Sequence, residues 1–139
     1  MTSGKPAWTS APPSTYDIVS CWYPEVEAPD DPGPELRPAL VVKVYKGKKT
    51  GAYACEVAYG TKNLKVIRRG EIDLIISHPP RLQVGLARAT RFDLDRIVLL
   101  PWEPPFFEPW TGNPTPKIGA LTEECIRDYA FLMMKRQSA

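Results

Sequence analysis

"PELRPALVVKVY", residues 34–45, decides how the rest of the chain is read. The run from Ala39 to Val44 is short, apolar and rich in β-branched side chains, and acids and prolines precede it while glycine and lysines follow. That pattern is a buried strand. Pro38 fixes the backbone at the strand's entrance. Arg37 therefore stands there as a permanent cation with a defined local direction, and its planar fork suits a phosphate or a carboxylate. The residues alone leave two uses open. Arg37 can be presented to a phosphate, or it can pair with Glu35 or the acidic loop before it.

Working outward, "YDIVSCWY", residues 16–23, reads as a first strand ended by Pro24. Residues 24–36 carry four prolines and five acids, which suits a stiffened surface loop and cannot extend a ladder. "KGKKTG" supplies a hairpin turn, and "AYACEVAYG", residues 52–60, alternates Tyr53, Cys55, Val57 and Tyr59 against smaller or polar neighbours, a period of two that marks a strand. "NLKVIRRGEIDLIIS", residues 63–77, reads as a short strand, a turn at Gly70 and another strand. "RATRFDLDRIVLLPW", residues 88–102, supplies at least one more. Five or six short strands with turns between them predict a mainly β (β-rich α+β) fold, a small closed or nearly closed antiparallel barrel.

The helix comes last. Thr122 is placed to cap "EECIRDYAFLMMKR", with Glu123 and Glu124 at the positive end of the dipole and Lys135 and Arg136 at the negative end. Ile126, Tyr129, Ala130 and Met133 share a face at helical spacing and are expected to pack on the barrel. Residues 101–116 hold six prolines, two tryptophans and two phenylalanines. The segment reads as a lid, a dimer contact, a stacking platform for bases or a simple cover for a barrel edge. Residues 1–15 are expected to form a flexible N-terminal arm unless Trp8 docks, leaving residues 16–139 as a single domain.

Composition narrows the function classes. The 139 residues are 43% hydrophobic, enough for one modest core. A net charge of +2, from 18 basic and 16 acidic side chains, does not by itself announce a polyanion partner. Three scattered cysteines signal neither a disulfide framework nor a zinc site, so a reducing cytoplasm is expected. No apolar run reaches the roughly 18 residues of a membrane span, and the first residues lack a secretory h-region.

His78 is the only histidine, which removes two-imidazole ribonucleolysis and makes a histidine metal centre a poor fit. Asp93 and Asp95 could hold a hard cation, but an i, i+2 pair on a strand more often marks a solvated face. No phosphate-binding glycine loop or serine elbow occurs. What remains is a set of arginines, hydroxyls and carboxylates. Thr61 follows Gly60 at a strand end, where glycine admits close approach of a ligand. Lys62, Lys65, Arg68 and Arg69, with the turn lysines, give the central third of the chain a basic excess.

The order "YDIVSCWYP", acidic proline-rich loop, "RPALVV", hairpin, "YGT", "ATRFDLDRIVLLPW" and "IGALTEECIRDY" resembles the MazF/PemK/Kid family of toxin endoribonucleases over most of residues 16–134. The Arg-Pro-Ala-Leu strand is the most specific element, and Ile118 to Leu121 leading into the helix supports it. The resemblance implies an SH3-like barrel with a C-terminal helix, usually a homodimer. It implies cleavage of single-stranded RNA without metal or other cofactor, and a separately encoded antitoxin that lays an acidic segment over the groove. By that analogy Arg37 is the catalytic arginine, Thr61 the strand-end threonine and Glu35 an acid in the adjoining loop. Lys62, Asn63, Arg68, Arg88, Thr90 and Arg91 would contact RNA. Where some members offer an arginine and an aspartate as acid and base, this chain has Arg88 and Thr90, so the general base is left open. The alternative function is a barrel that binds RNA or a peptide without cutting.

Overall fold

A computed structural model describes residues 5–64, 74–76 and 84–138. It is mainly β, with six strands and one helix: β1 (Asp17–Trp22), β2 (Leu36–Lys46), β3 (Tyr53–Thr61), β4 (Leu74–Ile76), β5 (Thr90–Pro101), β6 (Lys117–Ala120) and α1 (Glu123–Ser138). The strands form one antiparallel sheet in the order β4-β5-β3-β2-β1-β6. The opening stretch is thus a central strand, as its apolar run demands. β6 is a strand that the sequence reading passed over as a lead into the helix. Four residues are too few to display a period of two.

Both faces of the sheet are covered, which explains why β1 is buried at almost every position. On one face Val19, Cys21, Val41, Cys55 and Val57 pack with Trp8, Trp102 and Phe107. On the other, Ile18, Leu40, Ala58, Phe92 and Leu94 pack with β4 and with Leu121 and Cys125. The sheet curls around this second cluster. Register shifts in the β1–β6, β2–β3 and β3–β5 ladders supply the bends. The curl is tightened where Val84 and Gly85 lie against β6: a Cβ on Gly119 would run into the Val84 carbonyl, and one on Gly85 into the Ile118 carbonyl. Only glycine permits two backbones to approach so closely.

The aromatic residues bear on two expectations. Trp8, whose docking is the exception to a free arm, is buried and its ring lies edge-on to Trp102 at 5.1 Å. The Trp102 indole N–H lies within hydrogen-bonding distance of the Trp8 and Ala11 carbonyls, at 3.0 and 3.1 Å. The proline-aromatic segment is an edge cover. Beyond the short β6, the outer edge of β1 is satisfied by this segment: Ser20 N–H donates to Pro116 O and Trp22 N–H to Phe106 O, both at 2.8 Å. The Ser20 hydroxyl reaches the Glu108 carbonyl, and Cys21 bridges to Phe107. Proline cannot offer an N–H to the ladder, but its carbonyl can accept.

Thr122 caps α1, its Oγ1 accepting the Cys125 N–H at 3.2 Å. Ile126, Tyr129 and Met133 pack on the second cluster, joined by Leu132, whereas Ala130 faces solvent. Among the described residues no helix is long and apolar enough to cross a membrane.

Gly119→Ala is expected to destabilise the protein by about 1–3 kcal/mol, the ordinary cost of overpacking where backbone must give way. Urea unfolding followed by circular dichroism checks this. An unchanged midpoint would mean that the Val84–Gly119 approach does not constrain the curl.

Candidate functional site

The β2–β3 ladder pairs Ala39 with Tyr59, and continuing it toward the start of β2 sets Pro38 beside Gly60 and Arg37 beside Thr61. Gly60 makes this possible, since a Cβ there would strike the Pro38 carbonyl and press on the Phe92 ring. On the far side of β3, Thr61 pairs with Arg91. The three strand ends open into a cleft of about 270 Å³ lined by Glu35, Arg37, Thr61, Lys62, Arg88 and Thr90, with Leu36, Pro38 and Gly60 as its floor and wall. Among the described residues three cations face one carboxylate across it, a positive local excess although the whole chain is nearly neutral.

Arg37 pairs with Glu35 and also borders open space. Its Nη2 lies 2.8 Å from Glu35 Oε1, and its guanidinium also lines the open cleft. The Glu35 side chain is 63% exposed and that of Arg37 27%, and an ion pair so open to water contributes only about 0–1 kcal/mol. The Thr61 side chain is largely buried, and its Oγ1 accepts the Asn63 N–H at 3.1 Å, which leaves the hydroxyl proton to be donated elsewhere. Thr90 is buried and its hydroxyl donates to the Arg88 carbonyl at 3.1 Å, fixing the bend from which Arg88 projects.

Six of the residues named from the sequence thus meet in one cleft. Asn63 and Arg91 stand behind it, joined by a hydrogen bond from Arg91 Nε to the Asn63 carbonyl at 2.9 Å. Arg68 lies outside the described residues, as do Lys65, Arg69 and His78. The Asp93–Asp95 pair serves the fold: Asp93 Oδ1 accepts the Asp95 N–H at 3.0 Å, and the Asp95 carboxylate pairs with Arg136 of the helix.

Sequence reasoning missed the neighbours of Arg37 on its other side. Arg37 also lines a second cleft, of about 210 Å³, with Tyr23, Tyr59, Arg96 and the start of the acidic loop. Arg96 stacks 4.2 Å from the Tyr59 ring centroid and 5.3 Å from that of Tyr23, and Arg37 lies 5.3 Å from Tyr59. Arg96 reaches this place because β3 pairs Ala58 with Ile97 and then Tyr59 with Asp93, so that Leu94 to Arg96 form a bulge. The Tyr23 hydroxyl spans it, 2.6 Å from the Arg96 carbonyl and 3.1 Å from that of Val57. Nothing in the alternation of "RFDLDRIVLL" signals the extra residues.

Burial raises the pKa of two core thiols and of the Tyr23 phenol. Cys55 is pushed up to about 12 and Cys21 further, by loss of water and, for Cys21, by the neighbouring Cys55, so both thiols are inert core residues. Tyr23 is also held well above its ordinary value by burial, in spite of the opposing pull of Arg96.

No protein-family model and no curated protein matches the chain.

The Tyr23 phenol generates a pH prediction. In the unfolded chain it ionises near pH 10, whereas the folded protein keeps its proton to higher pH. Above pH 10 the unfolded state binds fewer protons, so its contribution to stability is constant below that pH and is lost as pH rises through the folded value. Unfolding free energies measured from pH 8 to 11.5 should fall on this alkaline limb, and Tyr23→Phe should make the fall shallower. An identical slope in the variant would contradict the assignment.

Proposed function

We propose that the chain is a metal-independent endoribonuclease that cuts single-stranded RNA, of the kind found in MazF/PemK/Kid toxins. The observation that carries this reading is the convergence of Arg37 and Thr61 on one open, cation-lined cleft. In this scheme the ribose 2′-hydroxyl attacks its own neighbouring phosphorus. The bond to the 5′-oxygen breaks, leaving a 2′,3′-cyclic phosphate and a 5′-hydroxyl.

Arg37 stabilises charge on the phosphoryl oxygens as they become more negative and donates a proton to the departing 5′-oxygen, which balances the proton that Glu35 takes from the 2′-hydroxyl. Thr61 donates its hydroxyl to the phosphate, and Lys62 and Arg88 hold the flanking backbone electrostatically. Glu35, displaced from Arg37 by the phosphate, is the carboxylate of the cleft that can accept the 2′-hydroxyl proton. Thr90, a neutral hydroxyl that donates to the Arg88 carbonyl, is too weak a base for that proton.

The same positive cleft suits an acidic, extended antitoxin segment, which would compete with RNA for Arg37. Exposed Leu99, Phe131 and Met134 offer apolar surface for a homodimer. A second reading, an RNA- or peptide-binding barrel without catalysis, draws on the Glu35–Arg37 pair, which leaves the cleft's carboxylate engaged with its arginine.

Purified protein incubated with a long single-stranded RNA in EDTA should give discrete fragments ending in cyclic phosphate. Arg37→Ala should lower the rate by roughly two to three powers of ten with the circular dichroism spectrum retained. RNA that shifts in a gel but stays intact would favour the binding barrel. Thr61→Ala should lower kcat more than it raises KM, because its contact strengthens as charge develops. Equal changes in both would deny Thr61 that role.

A further inference from the structure

We propose that the second cleft is a guanine subsite for the nucleotide next to the scissile phosphate, an inference that rests on the RNA-cleaving reading above. Arg37 lines both clefts, so a backbone whose phosphate sits at Arg37 delivers a neighbouring base to the second one.

The cleft has flat walls and two kinds of polar group. Tyr23 and Tyr59 meet edge to face at 5.2 Å, and Arg96 stacks on Tyr59. Aromatic rings and guanidinium planes are the surfaces on which single-stranded bases stack. Arg96 is held in place by Nη2 donating to the Pro24 carbonyl at 3.0 Å, and its fork retains further donors. Glu25 and Glu27 rise opposite from the acidic loop, whose first turn is set by Ala28 N–H donating to the Glu25 carbonyl at 3.0 Å. Both glutamates are exposed, and neither carboxylate has an ion-pair partner among the described residues.

The combination selects among the four bases by hydrogen-bond pattern. An ionised carboxylate only accepts, and guanine is the base that offers two adjacent donors, N1–H and N2–H₂, to one carboxylate. Beside those donors lies O6, an acceptor that pairs well with arginine. Adenine and cytosine place an acceptor next to their single amino group, where a carboxylate is repelled. Uracil flanks its one N–H with two carbonyls. Glu25 or Glu27 reads the donor edge, Arg96 reads O6, and the tyrosines carry the ring.

Binding of non-cleavable, 2′-fluoro single-stranded heptamers, measured by fluorescence anisotropy, tests this apart from catalysis. A heptamer with one central guanine should bind about tenfold tighter than the same heptamer with adenine. Inosine, which lacks the N2 amino group, should fall between them. The double variant Glu25→Gln, Glu27→Gln should lose the preference, the ratio of guanine to adenine affinity falling to near one, although loss of two negative charges raises the affinity for the adenine heptamer. Arg37→Ala should weaken all heptamers alike. Binding without base preference, or a preference that survives in the double variant, would overturn the subsite and leave the RNA reading standing. Failure to bind any heptamer would overturn both.

Discussion

The site depends on one close approach of backbones, that of Gly60 in β3 to Pro38 in β2. Side chains larger than a hydrogen cannot occupy position 60 without striking the Pro38 carbonyl. Because the approach is that close, the end of β3 and the start of β2 share one rim, and Arg37 and Thr61 face the same space. Pro38 sets the local backbone of the cation, and Gly60 admits the neighbouring strand. A fixed guanidinium in a partly desolvated cleft interacts with a phosphate more strongly than one on a mobile surface chain.

The rest of the fold holds that rim in place from two sides. The cluster of Trp8, Trp102 and Phe107 covers one face of the sheet, and α1 with β4 covers the other. The first cover is built from residues that look like loop by composition. Their prolines withhold N–H groups and their carbonyls accept from the free edge of β1, so the edge is closed without a long seventh strand. The bulge at Leu94 to Arg96 is the other device. It turns Arg96 out of the ladder and onto Tyr59, which joins a second cleft to the first through Arg37.

Charge is distributed by position rather than by amount. The chain carries a net charge of +2, yet among the described residues its first cleft gathers Arg37, Lys62 and Arg88 around the carboxylate of Glu35. The second places Glu25 and Glu27 across from Arg96. Positive charge for a backbone and mixed donors and acceptors for a base edge are different requirements, and under the proposed function the two clefts would divide them.

Sequence alone determined the strands whose signals are local. The apolar run after Arg37-Pro38, the alternation of residues 52–60 and the Thr122 cap each follow from the spacing of neighbours, and with them the mainly β architecture and the placing of Arg37 at a strand start and Thr61 at a strand end. The tertiary structure alone decided what covers what and which polar groups meet. Docking of Trp8 on Trp102, pairing of β6 with β1 and the displacement of Arg96 onto Tyr59 join residues far apart in the chain. Such contacts are set by packing volume and by the need to satisfy buried backbone groups, and neither leaves a period in the sequence.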